Sequence, residues 1–127
     1  MKRLFILAFV LASGSALAND PKNEWHSTTL KEDTIKKIQT AQFNYKSCIV
    51  KEMQKKGYAS IESRTATGAI IKRCEPVLAE MRKVYTDAKV PDVIADRHLK
   101  KMRIQLTRRL LKQLMYQEAA KAAAHSK

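Results

Sequence analysis

Glycine and proline are scarce in this chain, with three of each among 127 residues. No glycine-rich phosphate loop can be assembled from so few, and no G-x-S-x-G nucleophile turn occurs. No low-complexity linker is present apart from an alanine-rich end, and no internal repeat divides the chain. His26, His98 and His125 lie far apart and match no metal-ligand spacing such as H-E-x-x-H. Acidic residues are outnumbered, 12 against 25 Lys and Arg, and none falls between Arg97 and Gln117. Converging catalytic groups are therefore missing. The expectation is a protein that is not an enzyme, with no catalytic residue, no metal and no cofactor.

One long apolar run is present, at the start. Met1-Lys2-Arg3 is a basic opening, Leu4 to Ala12 is uninterrupted and apolar, Gly14 loosens the segment, and Ala16-Leu17-Ala18 offers small residues where a signal peptidase reads. That layout predicts a cleavable secretory signal over 1–18, cut after Ala18. A membrane span needs roughly 20 apolar residues, more than this run supplies. Asn19 rather than cysteine follows the cut, so no lipid anchor is expected. Cleavage leaves 23 basic and 12 acidic residues, a net charge of +11. Such an excess favours polyanions: acidic proteins, lipopolysaccharide, anionic lipid. A periplasmic or secreted location argues against nucleic acid, and no nucleic-acid-binding motif is recognisable.

The remainder shows helical periodicity and no strand alternation. The segment 19–28 is expected to be flexible, although Trp25 could pack down. Helical structure is expected over 29–120. Thr29 and Glu32 fit a capping box. From there Leu30, Ile35, Ile38, Ala41, Tyr45, Cys48, Ile49 and Met53 fall on one face, and Gly57 is a natural stop. Ser60 can cap a second segment, in which Ile71, Cys74, Leu78, Met81, Tyr85 and Ala88 recur at spacings 3-4-3-4-3. Pro76 interrupts it, so a kink or short break is expected near Arg73, and Gly68 adds local weakness. Val90-Pro91-Asp92 marks the next boundary, with Asp92 as cap. A third segment follows from Val93 to about Ala120, with Ala95, Leu99, Met102, Leu106 and Leu110 as its core face. Residues 121–127 are expected to fray. The fold expected is all-α: a small three-helix bundle, or a helical hairpin plus a long third helix, with one intrachain disulfide.

Cys48 and Cys74 are the only cysteines, one on the apolar face of each of the first two segments. A hairpin would bring them to a similar height, and an oxidising compartment pairs them. The 25 residues between them do not suit a redox pair of C-x-x-C type. A disulfide closing this loop would contribute about 3–4 kcal/mol.

The third segment carries a second stripe. Arg97, Lys101, Arg108 and Lys112 line up opposite the core face, with Ile104, Leu111 and Met115 on or beside the same line. The stripe could be a solvated charged face, or buried between neighbouring helices. As a surface, it would bind an acidic protein or an anionic envelope component, with peripheral membrane contact as a variant.

Tyr45-Lys46-Ser47-Cys48, Arg73-Cys74-Glu75 and Ile94-Ala95-Asp96-Arg97 together resemble a broad class of small exported, two-cysteine, all-helical bacterial proteins of unassigned function. The resemblance implies an exported helical protein and carries no site. The resulting expectation is an exported, non-enzymatic interaction protein acting through its basic third helix. Its rivals are a periplasmic stress chaperone and an inhibitor or immunity protein for an envelope-active enzyme.

Overall fold

The computed structural model of the chain describes residues 30–126. The leader expected over 1–18, the segment 19–28 and Thr29 lie outside the described residues, as does Lys127. Four α-helices and one short 3-10 turn make up the described chain: α1 (Glu32–Met53), the turn Lys56–Ser60, α2 (Ser63–Arg73), α3 (Glu75–Asp87) and α4 (Asp92–His125). No strand occurs among the described residues.

Glu32 and Asp33 occupy the first turn of α1, where carboxylates favour the positive end of the helix dipole. The expected capping box is displaced: Lys31 is the N-cap, without a side-chain bond, and its carbonyl accepts from the N–H groups of Thr34 and Ile35 at 2.9 and 3.1 Å. The helix buries Ala41, Tyr45 and Ile49 and stops at Met53, before the glycine expected to end it. Glu52 explains the early stop. Its carboxylate accepts from Lys55 Nζ and from the Tyr58 hydroxyl at 3.3 Å, which draws the chain back onto the helix end.

The second expected segment is two helices. Pro76 has no N–H for the carbonyl four residues back, and its ring would clash there. The chain breaks at Cys74 (φ −92°, ψ 0°), and Pro76 falls in the first turn of α3, where a missing N–H costs nothing. This break separates the structure's four helices from the three expected. α2 is capped by Glu62, not Ser60: the Glu62 carboxylate accepts from the backbone N–H of Arg64 and of Thr65, each at 3.0 Å. Ser60 instead donates to the Gly57 carbonyl at 3.2 Å. Gly68 sits inside α2 without ending it.

α3 ends in a Schellman motif. Val90 N–H reaches the Tyr85 carbonyl at 3.1 Å and Lys89 N–H the Thr86 carbonyl at 3.0 Å. Lys89 takes the left-handed conformation at φ 62° that glycine usually fills. Pro91, not Asp92, is then the N-cap of α4. Asp92 and Asp96 are drawn to Arg82 on α3, at 3.4 and 2.7 Å. Past Lys121, where fraying was expected, the described chain remains helical to His125. Alanine, the strongest helix former, holds positions 119, 120 and 122–124.

α1 packs chiefly against α3, and α2 against α4, with α3 also against α4. Tyr45, Ile70, Cys74 and Met81 are the largest fully buried side chains. Cys48 and Cys74 form a disulfide, with Cα atoms 6.0 Å apart. It ties the C-terminal part of α1 to the α2–α3 break, so the covalent link sits where the backbone helix is interrupted. No helix among the described residues is long and apolar enough to cross a membrane.

Candidate functional site

At 34 residues, α4 is about 50 Å long and forms one wall of the bundle. Ala95, Leu99, Leu110 and Leu114 are buried, with Met102 and Leu106 half-buried beside them. The seven residues of the second stripe lie on the opposite side of the same helix. Arg97, Lys101, Ile104, Arg108, Lys112 and Met115 are exposed, and Leu111 is half-buried. Ile104 keeps 39% and Met115 50% of its surface in solvent, so this line is neither interior nor purely charged.

Arg82, Arg103 and Lys121 are engaged inside the bundle. Arg82 forks onto Asp96, with Nε 2.7 Å and Nη2 3.3 Å from its two carboxylate oxygens. That pair holds the Asp96 carboxyl below its ordinary range and raises the guanidinium of Arg82. Arg103 Nε donates to Glu75 at 2.8 Å and joins α4 to α3. Lys121 Nζ donates to the Ala59 carbonyl at 2.7 Å, and the Ser63 N–H to Glu118 at 3.4 Å, fastening the last turns of α4 to the 3-10 turn and to the start of α2. Among the described residues, no carboxylate lies within ion-pair distance of Arg97, Lys101, Arg108 or Lys112. Arg82, Arg103 and Lys121 each tie one element to another. Lys100 and Arg109 on the same helix, like the four cations of the outer row, have no carboxylate partner among the described residues.

The row ends in an open groove lined by Arg108, Leu111, Lys112, Met115, Tyr116 and Ala119. Tyr116 was not singled out from the sequence. It is 63% exposed, and Lys112 Nζ sits 5.8 Å from its ring centre, within cation–π range. The available signal was the i,i+4 spacing from Lys112, which places the ring on the neighbouring turn of the same side. The groove is lined by two cations, a phenol ring and apolar side chains. It offers fixed positive charge next to apolar surface, which suits recognition.

His98 lies elsewhere, at the α3 side of α4. Its Nδ1 is 3.5 Å from the Tyr85 hydroxyl, which accepts from Gln42 Nε2 at 3.2 Å. These groups edge a second cavity of about 300 Å³ whose other walls include Leu30, Ile38, Val90 and Ile94. Among the described residues no three His, Cys, Asp or Glu side chains gather in a way that could hold a metal.

No family model matches the chain, and no curated protein or solved structure matches it.

Proposed function

We propose that this chain is an exported, non-enzymatic interaction protein that docks the outer face of α4 onto an acidic protein or an anionic surface of the cell envelope. The observation that carries the reading is the row Arg97, Lys101, Arg108 and Lys112: four exposed cations with no carboxylate partner among the described residues, flanked by exposed Ile104 and Met115. Solvated charge alone needs no apolar companions. An interface does, because apolar contact supplies affinity while the charges set orientation and speed encounter. The net charge, +13 for the whole chain and +11 after the expected cleavage, acts in the same direction over longer range. The Cys48–Cys74 bond is compatible with an oxidising, exported location.

Arg108→Glu with Lys112→Glu tests the reading. Both side chains are exposed, so stability should stay within about 0.5 kcal/mol of wild type. Salt-sensitive association with envelope material should be lost. If the double variant retains association, or unfolds instead, the row is not the docking surface. The chaperone reading draws on Phe43, Val50 and Ile61, which are exposed on α1 and before α2. These lie apart from the basic row, and clients held through them would remain bound to the double variant at high salt.

A further inference from the structure

Six of the seven outer-row residues fall on one line along the helix, with Lys112 beside it. Arg97, Lys101, Ile104, Arg108, Leu111 and Met115 follow one another at 4, 3, 4, 3 and 4 residues. This is the 3.5-residue period of a coiled-coil seam. It runs about 27 Å along α4. The helix therefore has two seams: one closed inside its own bundle, the other open to solvent. Resting on the proposal that this face is a docking surface, we infer that its partner is an acidic amphipathic helix. That helix lies along α4 and sets carboxylates against Arg97, Lys101 and Arg108, and apolar side chains against Ile104, Leu111 and Met115.

Charge selects this occupant over two others. A second copy of the chain laid parallel would oppose arginine to arginine at 97 and 108 and lysine to lysine at 101. Laid antiparallel, it would oppose cations to Met115, Leu111 and Ile104, burying charge without a partner. A bilayer accepts a helix whose apolar face sinks about 5–10 Å with its cations at the margins. Here Arg108 stands within the seam, between Ile104 and Leu111, and would have to sink with them. A helix carrying a carboxylate at that level meets Arg108 in the two-pronged geometry that arginine favours. The seam is also polarised, cationic at its Arg97 end and apolar at its Met115 end, so it defines one direction for a given partner.

The test uses the full mature chain and two synthetic helical peptides. The matched peptide has Glu, Glu, Leu, Glu, Leu and Leu at spacings 4, 3, 4, 3 and 4. The control has the same composition with the spacing scrambled. Calorimetry or fluorescence anisotropy should show the matched peptide, in one of its two chain directions, binding at least about tenfold more tightly than the control. Arg108→Glu should remove that preference, and a matched peptide with Lys at the facing position should restore it. Thermal melts of the variant exclude unfolding as the cause. Equal binding of both peptides overturns the helix inference and leaves the acidic-partner reading standing. Binding to phosphatidylglycerol–phosphatidylcholine vesicles but to neither peptide overturns it in favour of a membrane surface. No binding to peptides or vesicles removes the docking reading together with the inference.

Discussion

Reducing the Cys48–Cys74 bond should cost more stability than any single exposed substitution in the molecule. The bond spans 26 positions. Releasing a loop of that length returns about 3.5 kcal/mol of chain entropy to the unfolded state. A domain of this size has about 5–15 kcal/mol in total, so the loss is a substantial fraction. At roughly 4–8 °C per kcal/mol the melting midpoint should fall by about 14–28 °C. Local geometry adds to the effect. Cys74 is fully buried at the break between α2 and α3, and two free thiols must find room there in a packed core. Urea or thermal melts of oxidised and reduced wild type, followed by circular dichroism at neutral pH, measure the difference. Cys48→Ala with Cys74→Ala should lie lower than reduced wild type, because it also empties volume at position 74. A reduced midpoint within about 1 kcal/mol of the oxidised one would refute the argument. It would mean that the α1–α3 packing holds the hairpin without the covalent link.

Gly68→Ala should raise stability by about 0.5–1 kcal/mol, since the position is helical and a Cβ there meets nothing within 4 Å. A fall in the midpoint would contradict that geometry. Lys89→Gly should also stabilise, by about 0.5–1 kcal/mol, because it relieves a left-handed side chain at φ 62°; Lys89→Val should do the reverse. Acid should weaken the fold. The carboxyls of Asp96 (held by Arg82), Glu62 (held by the N–H groups of Arg64 and Thr65) and Glu52 (held by Lys55) are all below their ordinary range in the folded chain. Their contribution is present at neutral pH and is lost as pH falls from about 5 through the folded values. Asp96→Asn should flatten part of that decline, and an unchanged slope in midpoint against pH would remove Asp96 from the account.

Much of the framework is legible in the residues themselves, and the reasons are local. Pro76 cannot continue a helix, so the interruption beside Cys74 follows from its ring. Cys48 and Cys74 sit on apolar stripes that must face each other once the chain turns back. The helix ends were less readable. Glu62 and Lys31 took the capping positions expected at Ser60 and Thr29 because acceptors and carbonyls a residue or two apart compete on nearly equal terms. The left-handed turn at Lys89 carries no glycine to announce it. The pairs Arg82–Asp96 and Arg103–Glu75 cross between helices, and composition along one chain does not show which cations such pairs engage. For that reason the sequence placed Arg97, Lys101, Arg108 and Lys112 on one line but left open whether that line was buried. Leu111 is half-buried at the groove, and Tyr116 joined the site only when the helix register put its ring beside Lys112.

The two seams of α4 also bear on how such a protein can change over generations. Residues on opposite sides of a helix are separated by its full width, about 10 Å with side chains. At that distance substitutions with no shared partner act additively. Replacing Ile104 or Arg108 therefore leaves the packing of Leu99, Leu110 and the disulfide-linked core almost untouched. If the outer row docks a partner as proposed, lineages can redraw it to follow that partner, or exchange one partner for another, while the core and its covalent link remain under separate selection. A chain of this design should show its fastest variation on one side of its longest helix and its slowest on the other.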